Sequence, residues 1–129
     1  MDAATTLKMD EYVRLAQAIL GWVAWKRADS AEARRLSQEA IDYWNRRDFP
    51  YPFQWTGVLT LLAVQLTSVP LRSLVKLVEP LLTPGQLQLP EPIDGALVAA
   101  VSAHKNQDAE STREALQRAV AESIRLGFL

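Results

Sequence analysis

Apolar residues recur along the first third of the chain at the spacing of a helix. Tyr12, Val13, Leu15, Ala16, Ile19, Leu20 and Val23 fall on one stripe, which predicts a helix over 10–28. Gly21 is the single weak helix former in it and is tolerated. Asp29-Ser30-Ala31-Glu32 follows, a capping-box-like start in which each acidic side chain can take a free backbone donor. The second helix is predicted over about 30–47. Ala33, Leu36, Ser37, Ala40, Ile41 and Trp44 form its buried stripe, and Arg34, Arg35, Gln38, Asp42, Asn45 and Arg46 its wet side. Pro50 ends it by holding Phe49 out of helical geometry.

The third helix, over about 53–66, is nearly all apolar: Trp55, Val58, Leu59, Leu61, Leu62, Ala63, Val64 and Leu66. Ser68 is positioned to cap a fourth over about 69–82, with Pro70 in its first turn and Pro80 fraying or kinking its end. Residues 83–92 read as a loop turning at Pro84-Gly85. A fifth helix is expected over about 93–105. A sixth runs from an Asp108 N-cap to near Gly127. No strand pattern appears. The expected fold is all-α: one domain over 1–129, with an N-terminal extension at 1–9 and three antiparallel helix pairs at about 10–47, 53–82 and 93–127.

The outer pairs repeat. At an offset of 79 residues, Ala24 aligns with Ala103, Trp25 with His104, Lys26 with Lys105 and Asp29 with Asp108. Arg34, Ala40 and Ile41 align with Arg113, Ala119 and Val120. At an offset of 39, Leu20 meets Leu59 and Ala24 meets Ala63, but Arg72 and Glu79 stand where the first pair has Ala33 and Ala40. Short side chains at such points let antiparallel helices approach closely.

Leu20-Gly21, Ala24, the Ala28-Asp29 turn, Ala33 and Ala40 resemble a tetratricopeptide repeat (TPR). The third pair departs from that pattern with Ala100 for the glycine and Thr112 for the first alanine, and the unit length near 40 exceeds the family's roughly 34. The resemblance implies a short right-handed α-solenoid. A narrower resemblance covers 15–129: SAEARRLSQEAIDYW, a Trp-containing apolar helix, VEPLLTPGQLQLPEPIDGAL and DAESTREALQRAVAESIRLGFL. It looks like the C-terminal array of large bacterial signalling proteins, in which a nucleotide-cyclase or DNA-binding head and a STAND-type ATPase precede the repeats. That would make this chain part of a longer polypeptide, with any such activity carried elsewhere.

Composition narrows the role. The 129 residues carry 14 Lys+Arg against 15 Asp+Glu, a net charge of -1 without the basic excess of a general nucleic-acid binder. There is no cysteine for a thiolate site, no 18-residue uncharged apolar stretch for an ordinary membrane span, and no signal-peptide core in 1–10. A cytoplasmic address is the expectation. All seven prolines lie between 50 and 92, where only Arg72, Lys76, Glu79 and Glu91 are charged. A central element buried on both faces would read this way, and so would a patch that pairs with a second copy. A truncated array would also leave a raw end at its first helix.

The residues offer little catalytic chemistry. His104 is the single histidine, so one chain cannot build a two-His metal site, and Asp108 one turn on is expected to stabilise a helix end with it. Asp29, Glu32, Asp108 and Glu110 sit at helix starts, where carboxylates suit the dipole. Arg34, Arg35, Arg46 and Arg47 alternate with Glu39, Asp42 and Asp48 as on a solvated face. No Gly-Lys-Ser/Thr phosphate loop is present. The expectation is a non-enzyme with no cofactor and no metal. The tryptophans say more. Trp22, Trp44 and Trp55 suit a core, whereas Trp25 lies off the main stripe as a surface candidate. By the TPR resemblance, Trp22, Trp25 and Lys26, Leu61, Val64 and Gln65, and Val101, His104 and Lys105 would line one groove. Such a groove would take a peptide or its carboxylate, or a sister domain of the same polypeptide. The alternative is an effector pocket around Trp25 and Trp55. A homodimer is a further expectation.

Overall fold

Asp29 starts the second helix by accepting the Glu32 backbone N–H on Oδ1 at 3.2 Å. This satisfies one of the donors that a first helical turn leaves free. The reciprocal half of the box does not form, because the Glu32 carboxylate instead takes the Arg35 guanidinium, with Nε donating at 3.0 Å. The computed structural model describes residues 3–46, 51–84 and 86–129, with side chains from Asp10 onward. Arg47, the break at Phe49-Pro50 and Gly85 of the expected turn lie outside the described residues.

Among the described residues the chain is all-helical, with six α-helices. They are α1 (Ala3–Lys26), α2 (Ser30–Asn45), α3 (Trp55–Gln65), α4 (Leu71–Val78), α5 (Glu91–Lys105) and α6 (Ala109–Arg125). Helix α1 starts well before the expected Asp10, since residues 3–9 hold neither Gly nor Pro to stop it. Ser68 does not cap α4; Pro70 is the N-cap residue, with no side-chain bond. Pro80 lacks the N–H that would continue α4, and the chain tightens into a 3₁₀ turn over Glu79–Leu82. Helix α5 gains Glu91 and Pro92, proline being harmless in a first turn.

The outer hairpins turn identically. Ala28 (φ 62°) and Gln107 (φ 60°) take the left-handed conformation at the ends of α1 and α5. Asp29 N–H returns to Ala24 C=O at 2.9 Å, and Asp108 N–H to Ala103 C=O at 3.0 Å. Both turns are Schellman closures, at positions 79 residues apart. The link from α3 to α4 has no such closure: Ser68 and Val69 N–H both return to Gln65 C=O.

Helix α3 packs on α1 and α2 on one side and on α4 and α6 on the other. It accordingly buries six consecutive residues, Gly57–Leu62. Leu59, Leu61 and Leu62 meet Leu74, Ile93, Leu97 and Leu116 in one core. The third hairpin reaches α4 through both α5 and α6, and reaches α3 through α6. The stripe read from α1 does not face this core. Ala18, Gly21 and Ala24 are its buried positions, whereas Tyr12 (57% exposed), Val13 (60%), Ile19 (46%) and Leu20 (57%) point outward.

Candidate functional site

Small residues decide which face of α1 packs. A Cβ on Gly21 would stand 2.7 Å from Ser37 Oγ and 3.3 Å from Leu36 Cβ, so the α1 and α2 backbones approach closely there. Tyr12, Val13, Ile19 and Leu20 are thereby turned to the outside, while Leu15, Trp22 and Trp25 pack against the core half-buried. Arg14 closes the flank of this hairpin, 5.1 Å over the Tyr43 ring and bonded to Gln17 Oε1 at 2.9 Å.

One edge of the exposed stripe runs into an aromatic cleft of about 390 Å³, lined by Leu15, Ile19, Trp22, Phe53, Trp55, Thr56, Gly127 and Phe128. That volume falls within the range of small-ligand pockets, roughly 300–1,000 Å³. The chain's last residues build one wall. Gly127 (φ 85°) reverses the backbone after α6, and Phe128 N–H returns to Ser123 C=O at 2.8 Å. This third Schellman closure throws Phe128 against Trp55, edge to face with ring centroids 5.0 Å apart. Leu129 is buried, and its carbonyl oxygen accepts from Lys26 Nζ at 2.6 Å. The same ammonium lies 5.5 Å from the Trp22 ring centroid. The indole N–H groups of Trp22 and Trp55 are buried without an acceptor.

The nine residues expected to share a groove are divided. Trp22 and Lys26 lie together at the cleft and tail. Leu61 is a core residue at 1% exposure. Val64 and Gln65 are half-buried near the end of α3, and Val101 is half-buried on α5. His104 and Lys105 line a separate depression with Leu71, Gln107, Asp108 and Ala109. Trp25 is half-buried and packed on the core, so the cleft is built around Trp22 and Trp55. Trp44 is buried and stacked on Tyr51 at 5.0 Å. Phe53, Phe128 and Leu129 complete the site without having been singled out. The signal for the last two was Gly127, a helix-ending glycine followed by an apolar residue.

Titratable groups are spent on structure. Asp108 accepts the Ser111 hydroxyl at 2.7 Å and the Ser111 N–H at 3.1 Å, rather than pairing with His104. Those two bonds, the hydroxyl first, hold its carboxyl below the ordinary aspartate value. Burial pushes the Tyr51 hydroxyl up, with smaller contributions from the charges of Glu11 and Tyr12. Among the described residues no three His, Asp or Glu side chains gather where they could hold a metal ion, and no helix is long and apolar enough to cross a membrane. Compared with known proteins, the chain matches no family model, no curated protein and no solved structure.

Proposed function

We propose that this chain is a non-catalytic, TPR-like interaction module that binds protein through the outer face of α1 and the adjoining aromatic cleft. The observation that carries this reading is the α1 stripe: four large apolar side chains, each about half exposed, lie on one face and run into the cleft. Contiguous apolar surface of this kind marks docking sites. The repeated Schellman hairpins support the TPR-like part. The exposure of Tyr12, Val13, Ile19 and Leu20 favours a binding face on α1 over one along the first helices of all three pairs. By its sequence resemblance the module belongs in the cytoplasm, as the C-terminal region of a larger bacterial signalling protein, with a protein, a peptide or sister domains of the same polypeptide as its partner. The test is capture from cells of the source with wild-type chain and with Leu20→Glu. A partner retained by the wild type and lost by the variant supports the reading; identical capture by both refutes it.

The cleft favours a second reading, an effector site for a small apolar molecule, because its walls are aromatic and two indole N–H groups beside it have no acceptor. A saturable shift of tryptophan emission with a small apolar acid, lost in Trp55→Phe, would support it. Emission unchanged across a panel of such compounds would refute it.

A further inference from the structure

We propose that residues 127–129 form a strap that closes the aromatic cleft, with Lys26 as its catch, so that filling the cleft and fastening the third hairpin to α1 are coupled. The proposal rests on the cleft being a binding site, as in both readings above, and adds how that site is regulated. At the other two Schellman closures the residue after the positive φ caps the next helix, which fixes its course: Asp29 caps α2 and Asp108 caps α6. Phe128 and Leu129 belong to no helix. Their N–H groups share one acceptor, the Ser123 carbonyl oxygen, at 2.8 and 3.0 Å. Gly127 is the hinge. It is exposed, and no atom beyond its chain neighbours stands within 4 Å of where a Cβ would be, so its φ of 85° and not crowding calls for glycine.

Beyond the hinge, two contacts hold the strap down. Phe128 lies edge to face on Trp55, and the Leu129 carbonyl oxygen accepts from Lys26 Nζ across 103 residues of sequence. The same ammonium lies over the Trp22 ring. Lys26 thus ties the strap to Trp22, and Trp22 and Phe128 both line the cleft. Helix α6 itself packs on α5, α3 and α4, so the strap carries the third hairpin across to α1. The closed, empty arrangement leaves the Trp22 and Trp55 indole N–H groups buried without an acceptor. Unmet buried donors favour any state that supplies an acceptor, which keeps the strap poised between an open form and a form closed over an occupant. An occupant touches Phe128 only when the strap is down. It therefore shifts the balance toward closure, and closure raises its affinity by the same factor.

The experiment is amide hydrogen exchange followed by NMR on the whole chain, with and without anilinonaphthalene sulfonate, an apolar aromatic probe whose fluorescence reports its own binding. The Phe128 and Leu129 amides read the strap. The Asp29 and Asp108 amides, in the closures that a helix follows, are the control. Lys26→Met keeps the side-chain stem and removes the ammonium. It should speed exchange at 128 and 129 about tenfold, leave the two control amides unchanged and weaken probe binding by a similar factor. Lys26→Arg, which keeps a donor, should restore most of both. Saturating probe should slow exchange at 128 and 129 in the wild type. Exchange at these amides that ignores Lys26→Met or bound probe overturns the strap and leaves the cleft reading standing. Exchange that quickens equally at all four amides in Lys26→Met reports lost global stability and overturns the catch. A probe that does not bind, or binds equally well to Phe53→Ser, overturns the cleft reading and the strap with it.

Discussion

Replacing Gly21 by alanine tests the packing choice that exposes the α1 stripe. On an exposed helix the change would stabilise by about 1 kcal/mol through helix propensity. Here the new methyl would stand 2.7 Å from Ser37 Oγ, 3.3 Å from Leu36 Cβ and 3.4 Å from the Ala33 carbonyl oxygen. Ser37 is fully buried, so its hydroxyl cannot retreat into solvent. The helices must separate by several tenths of an ångström, and overpacking of this kind costs about 1–3 kcal/mol. The net expectation is a loss of about 1 kcal/mol, or about 3–5 °C in Tm for a chain of this length. Urea denaturation followed by circular dichroism measures it. The hydroxyl supplies a control. Ser37 Oγ has no hydrogen-bond partner, so Ser37→Ala alone should stabilise by about 1 kcal/mol. Combined with Gly21→Ala it removes the closest clash, and the double variant should be at least as stable as wild type. A coupling of about 1 kcal/mol or more is the signature of direct contact. If Gly21→Ala raises the urea midpoint, α1 does not meet α2 through its small residues, and the account of the exposed stripe is wrong.

Other parts of the structure give independent tests. Ala28→Gly and Gln107→Gly should each stabilise by about 0.5–1 kcal/mol, since both positions hold a positive φ that glycine adopts without strain. A loss of stability in either would refute the hairpin closures. Phe128→Ala should lower stability by about 1–2 kcal/mol and shift tryptophan emission to the red, because Trp55 loses its edge-to-face neighbour and gains water; unchanged emission would place the tail elsewhere. Asp108 has a folded pKa below its unfolded one, so its contribution is present above the ordinary aspartate value and fades as pH falls through the lowered one. Urea midpoints between pH 7 and pH 3 should therefore drop less in Asp108→Asn than in wild type. Tyr51 is the opposite case: its folded pKa is raised, so its contribution is present below about pH 10 and is lost as pH rises through the folded value. Tyr51→Phe should blunt the alkaline loss of stability.

The elements were legible wherever one physical requirement dominated. Helix α2 shows a single apolar stripe, and Ala33, Ser37, Ala40, Ile41 and Trp44 are buried as its spacing requires. Asp29 and Asp108 marked helix starts because a cap needs only local chemistry. The middle third could be read as central, because α3 has no polar side to give to water. Ser68 misled, since Pro70 two residues later took the cap position. The cleft was half visible. Trp22 and Lys26 stood out by type, but Phe128 reaches Trp55 only through the reversal at Gly127, and that pairing spans more than half the chain.

Helix α1 was the harder case, and the reason is instructive. Periodicity finds a face, but it does not say which neighbour the face meets. Two apolar faces coexist on α1. One is small, formed by Ala18, Gly21 and Ala24; the other is large, running through Tyr12, Val13, Ile19 and Leu20. The hydrophobic pattern weights the large face. The hairpin closure at Ala28 brings α2 back along α1 within a short turn, and at that distance only the small face fits. A helix needs only one apolar face to pack within its own hairpin. The second face adds exposed Leu, Ile and Val that α2 does not need, and it continues into a cleft closed by the chain's own tail. Two apolar faces on one helix require two neighbours. The α2–α3 side supplies the first, and the outer stripe is the face that the interaction reading leaves for the second.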